Sequence, residues 1–159
     1  MLNRTNVNLV DLAPTFLESA GLEAPPERGV LATRSLFDVA SAPDDHDRVA
    51  FSEYHAVGSP TAAFMLSQGR FKYHYYVGYR PELFDIELDP EETCDLAQDP
   101  GYAEVLKEFE GKLRDVLDPE VVDRQAKDAQ NAYVAVFGGP ERAAAIGTPG
   151  ATPMPSTFR

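Results

Sequence analysis

Asp85, Glu87 and Asp89 stand at alternate positions in FDIELDPEET, the spacing with which a calcium-binding loop opens. The pattern does not continue. Pro90 occupies the place where such a loop turns on glycine, and Leu96 the place of its bidentate glutamate. The stretch therefore reads as a solvated turn in which aspartates cap backbone N–H groups. His46, His55 and His74 have no partner at metal-ligand spacing, and His74, set between tyrosines, reads as structural. Cys94 has no neighbouring base or cation to lower its pKa, which predicts a buried or inert thiol. Tyr73, Tyr75, Tyr76 and Tyr79 offer ring faces for stacking bases, but packing within a sheet accounts for them better in an acidic chain. The sequence contains neither a glycine-rich phosphate loop nor a serine-centred nucleophile elbow. It supplies no catalytic residue and no metal-ligand set of its own.

The elements around these residues are easier to read. Arg70 to Val77 alternates, with Phe71, Tyr73, Tyr75 and Val77 on one face and Lys72, His74 and Tyr76 on the other, as a half-buried strand requires. AAFMLS precedes it across a Gln68-Gly69 turn, and RVAFSEY (48–54) and ELFDI (82–86) are two further strand patterns. Loops this short favour antiparallel pairing, because a parallel crossover needs a dozen or more residues. Asn8 caps a predicted helix from Leu9 to Ala20, with Pro14 inside its pattern and Gly21 at its end. Residues 23–47 read as a connection with one short apolar piece, Ser35 to Val39. Asp99-Pro100 opens a helix with the stripe Tyr102, Val105, Leu106, Phe109, Leu113, Val116 and Leu117. Asp118-Pro119 opens another that runs to about Phe137, with the weaker stripe Val122, Ala126, Ala129, Tyr133 and Val136/Phe137. ERAAAI adds a short turn, and the Pro/Gly-rich GTPGATPMPSTFR predicts an extended tail. The predicted class is α+β: a small four-stranded antiparallel sheet packed by a long C-terminal helix.

With 159 residues the chain is long enough to bury a core. Its net charge of −12 argues against nucleic acid or an anionic membrane as partner. No apolar run approaches the roughly 20 residues of a membrane span, and MLNRTNVNLV lacks the layout of a signal peptide. A single cysteine forms no internal disulfide, which suits a reducing compartment, and the expected location is cytoplasmic.

NLVDLAPTFLESAGL, RVAFSEYHA, GRFKYHYYVGYRPELFDIELDPEETCDLAQDP and YAEVLKEFEGKLRDVLDPE, in that order and spacing, resemble the C-terminal third of a sulfatase. G-R-F-K-Y and P-E-L-F-D-I-x-x-D-P-x-E are the specific pieces, and EYHAVGS with the long tail is most similar to the choline-sulfatase-like and related branches. The resemblance implies that residues 48–137 are a sulfatase C-terminal subdomain with its following helices. Residues 1–47 would then be a helix and loop left from a larger α/β domain of the alkaline-phosphatase-like superfamily, and 138–159 an extended tail.

In that family the larger domain holds a C/S-x-P-x-R nucleophile matured to formylglycine and a divalent cation such as calcium. Cys94 is followed by Asp-Leu-Ala-Gln and is not that precursor, and only Met1 to Val7 precede the matching segment. No cofactor is expected in this chain. The expected function is the C-terminal or split part of a sulfuric ester hydrolase, inactive alone, whose partner is the missing catalytic domain or a second copy. The alternative is a non-catalytic accessory or binding module on the same subdomain. By position-for-position resemblance, Glu53 lies at a strand end facing the substrate pocket, with Tyr54 and His55 beside it. These three are the candidate substrate-binding residues, and an exposed strand position is the competing account of Glu53. HAVGS departs from the choline-specific pattern and leaves the head group open. The tail, up to Phe158 and Arg159, is a candidate to reach a neighbouring subunit's pocket.

Overall fold

A computed structural model describes residues 3–23, 33–55 and 59–146. Parts of the connecting loop (24–32), Ala56 to Gly58 of the EYHAVGS stretch and the tail from 147 lie outside the described residues. The chain forms two compact units, Met1–Asp123 and Arg124–Arg159, with the boundary inside one helix.

The first unit is built on a sheet of four antiparallel strands in sequence order: β1 (Ala50–Tyr54), β2 (Ala63–Gln68), β3 (Phe71–Tyr76) and β4 (Glu82–Asp85). Gln68 pairs with Phe71 across the β2–β3 hairpin, and Gly69 takes the positive φ (+54°) that this tight turn needs. The register sets Leu66 opposite Tyr73, Phe64 opposite Tyr75 and Tyr73 opposite Leu83. These side chains fall on one face, against Phe109 and Leu113 of α3 (Ala103–Val116). Phe71, Tyr75 and Val77 pack at the margin of that core, as the alternation in β3 predicts. Leu66, Leu83 and Leu113 are wholly buried, and each stabilises the fold by about 1.5–3 kcal/mol relative to an exposed side chain.

Helix starts follow the Asp-Pro signals. Asp99 accepts from Gly101 N–H (2.8 Å), and a 3₁₀ turn, Pro100–Tyr102, leads into α3. Asp118 accepts from Val121 N–H (3.0 Å) at the start of α4 (Pro119–Val136). In the second unit α4 ends on Gly138 and Gly139, both at positive φ, with Gly139 N–H donating to Val134 O (3.2 Å). The predicted ERAAAI turn is a helix, α5 (Pro140–Ile146).

The N-terminal segment is organised differently. Leu9–Asp11 is a 3₁₀ turn that continues into α1 (Leu12–Ser19), so Pro14 sits in the first α-helical turn, where its missing N–H has no cost. Gly21 (φ +71°) closes α1, with Leu22 N–H bonded to Leu17 O (2.9 Å). The connection read from sequence as loop contains a helix, α2 (Leu36–Ser41). Ser35 caps it by accepting from Phe37 N–H, and Thr15 Oγ1 accepts from Leu36 N–H (2.9 Å). Six residues are too few for propensity to announce a helix, and the local Ser35 cap together with the tertiary bond to Thr15 holds it.

What this segment buries is polar. Asp11 is fully buried and forms a two-point ion pair with Arg48, whose side chain is 8% exposed (2.8 and 3.0 Å). The backbone N–H groups of Asn8 (2.7 Å) and Arg34 (3.0 Å) also donate to Asp11. Burial alone would raise the Asp11 pKa, yet these donors and the guanidinium outweigh it and hold the carboxyl below its ordinary value. Asn8 was expected to cap the first helix through its side chain. Its backbone starts the turn, but its side-chain amide lies along β1, donating to Val49 O (3.1 Å) and accepting from Phe51 N–H (2.7 Å).

Candidate functional site

The antiparallel register gathers four chain positions at one end of the sheet. Tyr54 pairs with Ala63, Ala63 with Tyr76, and Glu82 enters two residues further in, opposite His74. The β1–β2 and β3–β4 loops both leave from this end. It is therefore where side chains from distant parts of the sequence meet.

Glu53, Tyr54 and His55 all lie here, but not on one face. Glu53 is exposed and its Oε2 is 3.4 Å from His55 Nε2. The His55 ring stands edge-on to Phe64, with centroids 5.6 Å apart. Tyr54 points to the opposite face, as strand alternation demands, and is half exposed. The carboxylate is thus exposed beside a largely covered imidazole, while the phenol belongs to a neighbouring surface.

That second surface holds an open cleft of about 450 Å³, lined by Ser59, Pro60, Thr61, Tyr76, Tyr79, Arg80 and Glu82. Its walls are fixed from behind. Ala62 N–H donates to the buried Asp123 (2.7 Å), and Val77 N–H to Ala62 O (3.1 Å). In the β3–β4 turn Tyr79 N–H donates to Tyr76 O (3.0 Å) around Gly78 at φ +83°, which a type II turn requires. Tyr76 donates its hydroxyl to Glu82 Oε2 (3.0 Å). Burial, reinforced by the Glu82 carboxylate, pushes the Tyr76 pKa up to about 12, so this phenol stays a donor at any physiological pH.

Tyr76 and Tyr79 were singled out in the sequence only as sheet packing, and Arg80 and Glu82 were not singled out at all. The only local signal was Tyr-Val-Gly-Tyr-Arg-Pro, a turn carrying an aromatic and a cation side by side.

The other chemical candidates resolve as structure. Asp85 is buried and accepts from the N–H groups of Glu87 and Leu88 (both 3.2 Å) and from Arg70, while Asp89 accepts from Cys94 N–H (2.8 Å). Carboxylates engaged in this way do not suit a divalent cation. Among the described residues no group of three or more His, Cys, Asp or Glu is placed to hold a metal ion. Cys94 is exposed, not buried, because it lies on the surface turn that Asp89 closes. His74 stacks on Tyr76 and meets the edge of Phe84. Desolvation lowers its pKa, with Lys72 adding to the shift and Glu92 opposing it.

The model of the N-sulphoglucosamine sulphohydrolase C-terminal family matches residues 2–118, and the chain belongs to that family. It is 31% identical to mouse arylsulfatase K over 119 residues, 70% of this chain and 21% of that protein. It is 33% identical to the Delta 4,5-hexuronate-2-O-sulfatase of Bacteroides thetaiotaomicron over 112 residues, 68% of this chain and 23% of the relative. The crystal structure of a putative sulfatase from Bacteroides thetaiotaomicron superposes with a TM-score of 0.52 at 28% identity, covering 75% of this chain and 25% of the other. The chain thus spans between a fifth and a quarter of the length of these relatives.

Proposed function

We propose that this chain is the substrate-side C-terminal portion of a sulfuric ester hydrolase acting on sulfated sugars, and that it turns over no substrate alone. One observation carries this. The N-terminal segment buries Thr5, Asn8, Asp11 and Thr15 and leaves much of its apolar surface outward, with Leu9 83% and Phe16 66% exposed, Val7, Val10 and Leu22 about half exposed, and Leu12 and Leu17 half-buried. Such a face has no solvent role and marks an interaction surface. The remaining sequence length of the relatives supplies its natural occupant, the α/β part of the enzyme. That part would also bring the formylglycine and the divalent cation, for which the described residues of this chain hold no cluster of ligands. The sugar class is taken from the hexuronate named for the Bacteroides relative.

Within the assembled enzyme, Glu53, Tyr54 and His55 would meet the substrate, with Glu53 and His55 acting as a hydrogen-bonding pair. The test is reconstitution: assay the chain on an aryl sulfate and on a 2-O-sulfated hexuronate, with and without the upstream polypeptide in trans. Turnover is expected only with both parts present. Metal-dependent hydrolysis by the chain alone would overturn the proposal. In the reconstituted enzyme, Glu53→Gln should weaken substrate binding by about 1.5–3 kcal/mol, the worth of a charge-assisted hydrogen bond, and unchanged kinetics would remove Glu53 from the site.

A further inference from the structure

The geometry points to a subsite for an acidic sugar in the cleft between Ser59–Thr61 and the β3–β4 turn, with the sugar carboxylate on Arg80 and a ring face on Tyr79. It rests on the sulfated-sugar class proposed above but uses residues distinct from Glu53, Tyr54 and His55.

Three features of the cleft select this class. First, Arg80 is exposed and, among the described residues, makes no ion pair or hydrogen bond, although the chain carries 26 acidic residues against 14 basic ones. Arg34, Arg48, Arg70 and Arg114 have carboxylate partners, and of the described arginines without one Arg80 is the one that lines the cleft. A guanidinium left open beside a turn of fixed shape is set to take a planar carboxylate at two points. Second, Tyr79 is 62% exposed on the rim, so its ring offers a flat apolar face to the C–H side of a sugar. Third, the polar groups are mixed. Glu82 is an acceptor already paired with Tyr76, and the Ser59 hydroxyl donates to Thr61 O. A simple anion gains nothing from Glu82 and is repelled by it. A polyol with one acid group uses the cation, the acceptor and the aromatic face together. The volume of about 450 Å³ lies within the roughly 300–1,000 Å³ of small-molecule sites.

The experiment is a titration of the isotope-labelled chain, followed by NMR, with D-glucuronate, its methyl ester and inorganic sulfate. Glucuronate should shift the backbone signals of Tyr76, Tyr79 and Arg80 with a dissociation constant on the order of 1 mM. The ester, which lacks the charge, should bind about tenfold or more weakly, as should the Arg80→Gln and Tyr79→Ala chains. Both substitutions lie on the exposed rim, and an unchanged spectrum elsewhere confirms the fold. No saturable shift, an ester equal to the acid, or inorganic sulfate equal to glucuronate would each overturn the subsite. The titration needs no catalytic partner and so separates the two proposals. Sugar binding without reconstituted turnover leaves the subsite standing and removes the sulfatase reading. Turnover without sugar binding does the reverse.

Discussion

The sheet with α3 and the N-terminal segment are packed by opposite rules. In the sheet region the central core is apolar, Phe64, Leu66, Tyr73, Leu83, Phe109 and Leu113, and ion pairs such as Arg114–Glu120 lie outside it, the buried Asp85 at the end of β4 being the exception. In the N-terminal segment the inside is Thr5, Asn8, Asp11 and Thr15, and the apolar residues lie outside. The first pattern is that of a domain closed on itself. In the second, the polar side is satisfied by backbone groups and the Arg48 guanidinium of this chain, and much of the apolar side is exposed.

Substitutions separate these two rules. The largest effect is expected at Asp11. Asp11→Ala leaves the buried Arg48 without its carboxylate and should destabilise the fold by about 3–5 kcal/mol in urea unfolding. A loss under about 1 kcal/mol would mean that the polar interior is not a structural element. Leu113→Ala, the matching cut in the apolar core, should cost about 2–5 kcal/mol by the same measurement.

Tyr73→Phe should go the other way. The buried Tyr73 hydroxyl has no hydrogen-bond partner among the described residues, so its removal should raise stability by about 1 kcal/mol; a loss would reveal a bonded hydroxyl. Acid should act weakly on the outer ion pairs. Hydrogen bonds from Arg114 and Tyr75 lower the Glu120 pKa to about 2. A depressed folded value means that the stabilisation is present above the ordinary carboxylate range, near 4.5, and is lost as pH falls toward 2. Because the pair is exposed, Glu120→Gln should remove only about 0.5 kcal/mol at pH 7, and high salt should shrink that further. The smallest effect on stability is expected at Phe16. Phe16→Gln should shift it by no more than about 0.5 kcal/mol while reducing self-association or capture of the upstream polypeptide in analytical ultracentrifugation.

Signals that act over a few residues were legible in the sequence. The alternation in β3, the Gly69 hairpin, the Asp-Pro helix starts and Gly21 behind α1 all depend on local geometry. The G-R-F-K-Y and P-E-L-F-D-I segments led to the family because they are the wording of that sheet. The Asp11–Arg48 pair joins residues 37 positions apart, and the cleft joins the β1–β2 loop to the β3–β4 turn; neither leaves a periodic trace. The stripe through Leu9, Leu12, Phe16 and Leu17 correctly announced a helix. Periodicity alone shows that a face is apolar and not what covers it; Leu9 and Phe16 of this stripe are exposed, and Leu12 and Leu17 are half-buried.

Asn8 carries one more consequence. A sheet that ends in bare strands is a template on which further chains add, and fibrils grow that way. Here the side-chain amide of Asn8 occupies the first half of the β1 rim. At the other rim Leu96 N–H donates to Leu83 O (2.8 Å) and Leu83 N–H to Asp95 Oδ1 (3.1 Å). With both rims obstructed, strand addition is closed to copies of this chain, and any self-association would have to run through exposed side chains such as Leu9 and Phe16. Association of that kind dissolves on dilution and leaves no cross-β deposit.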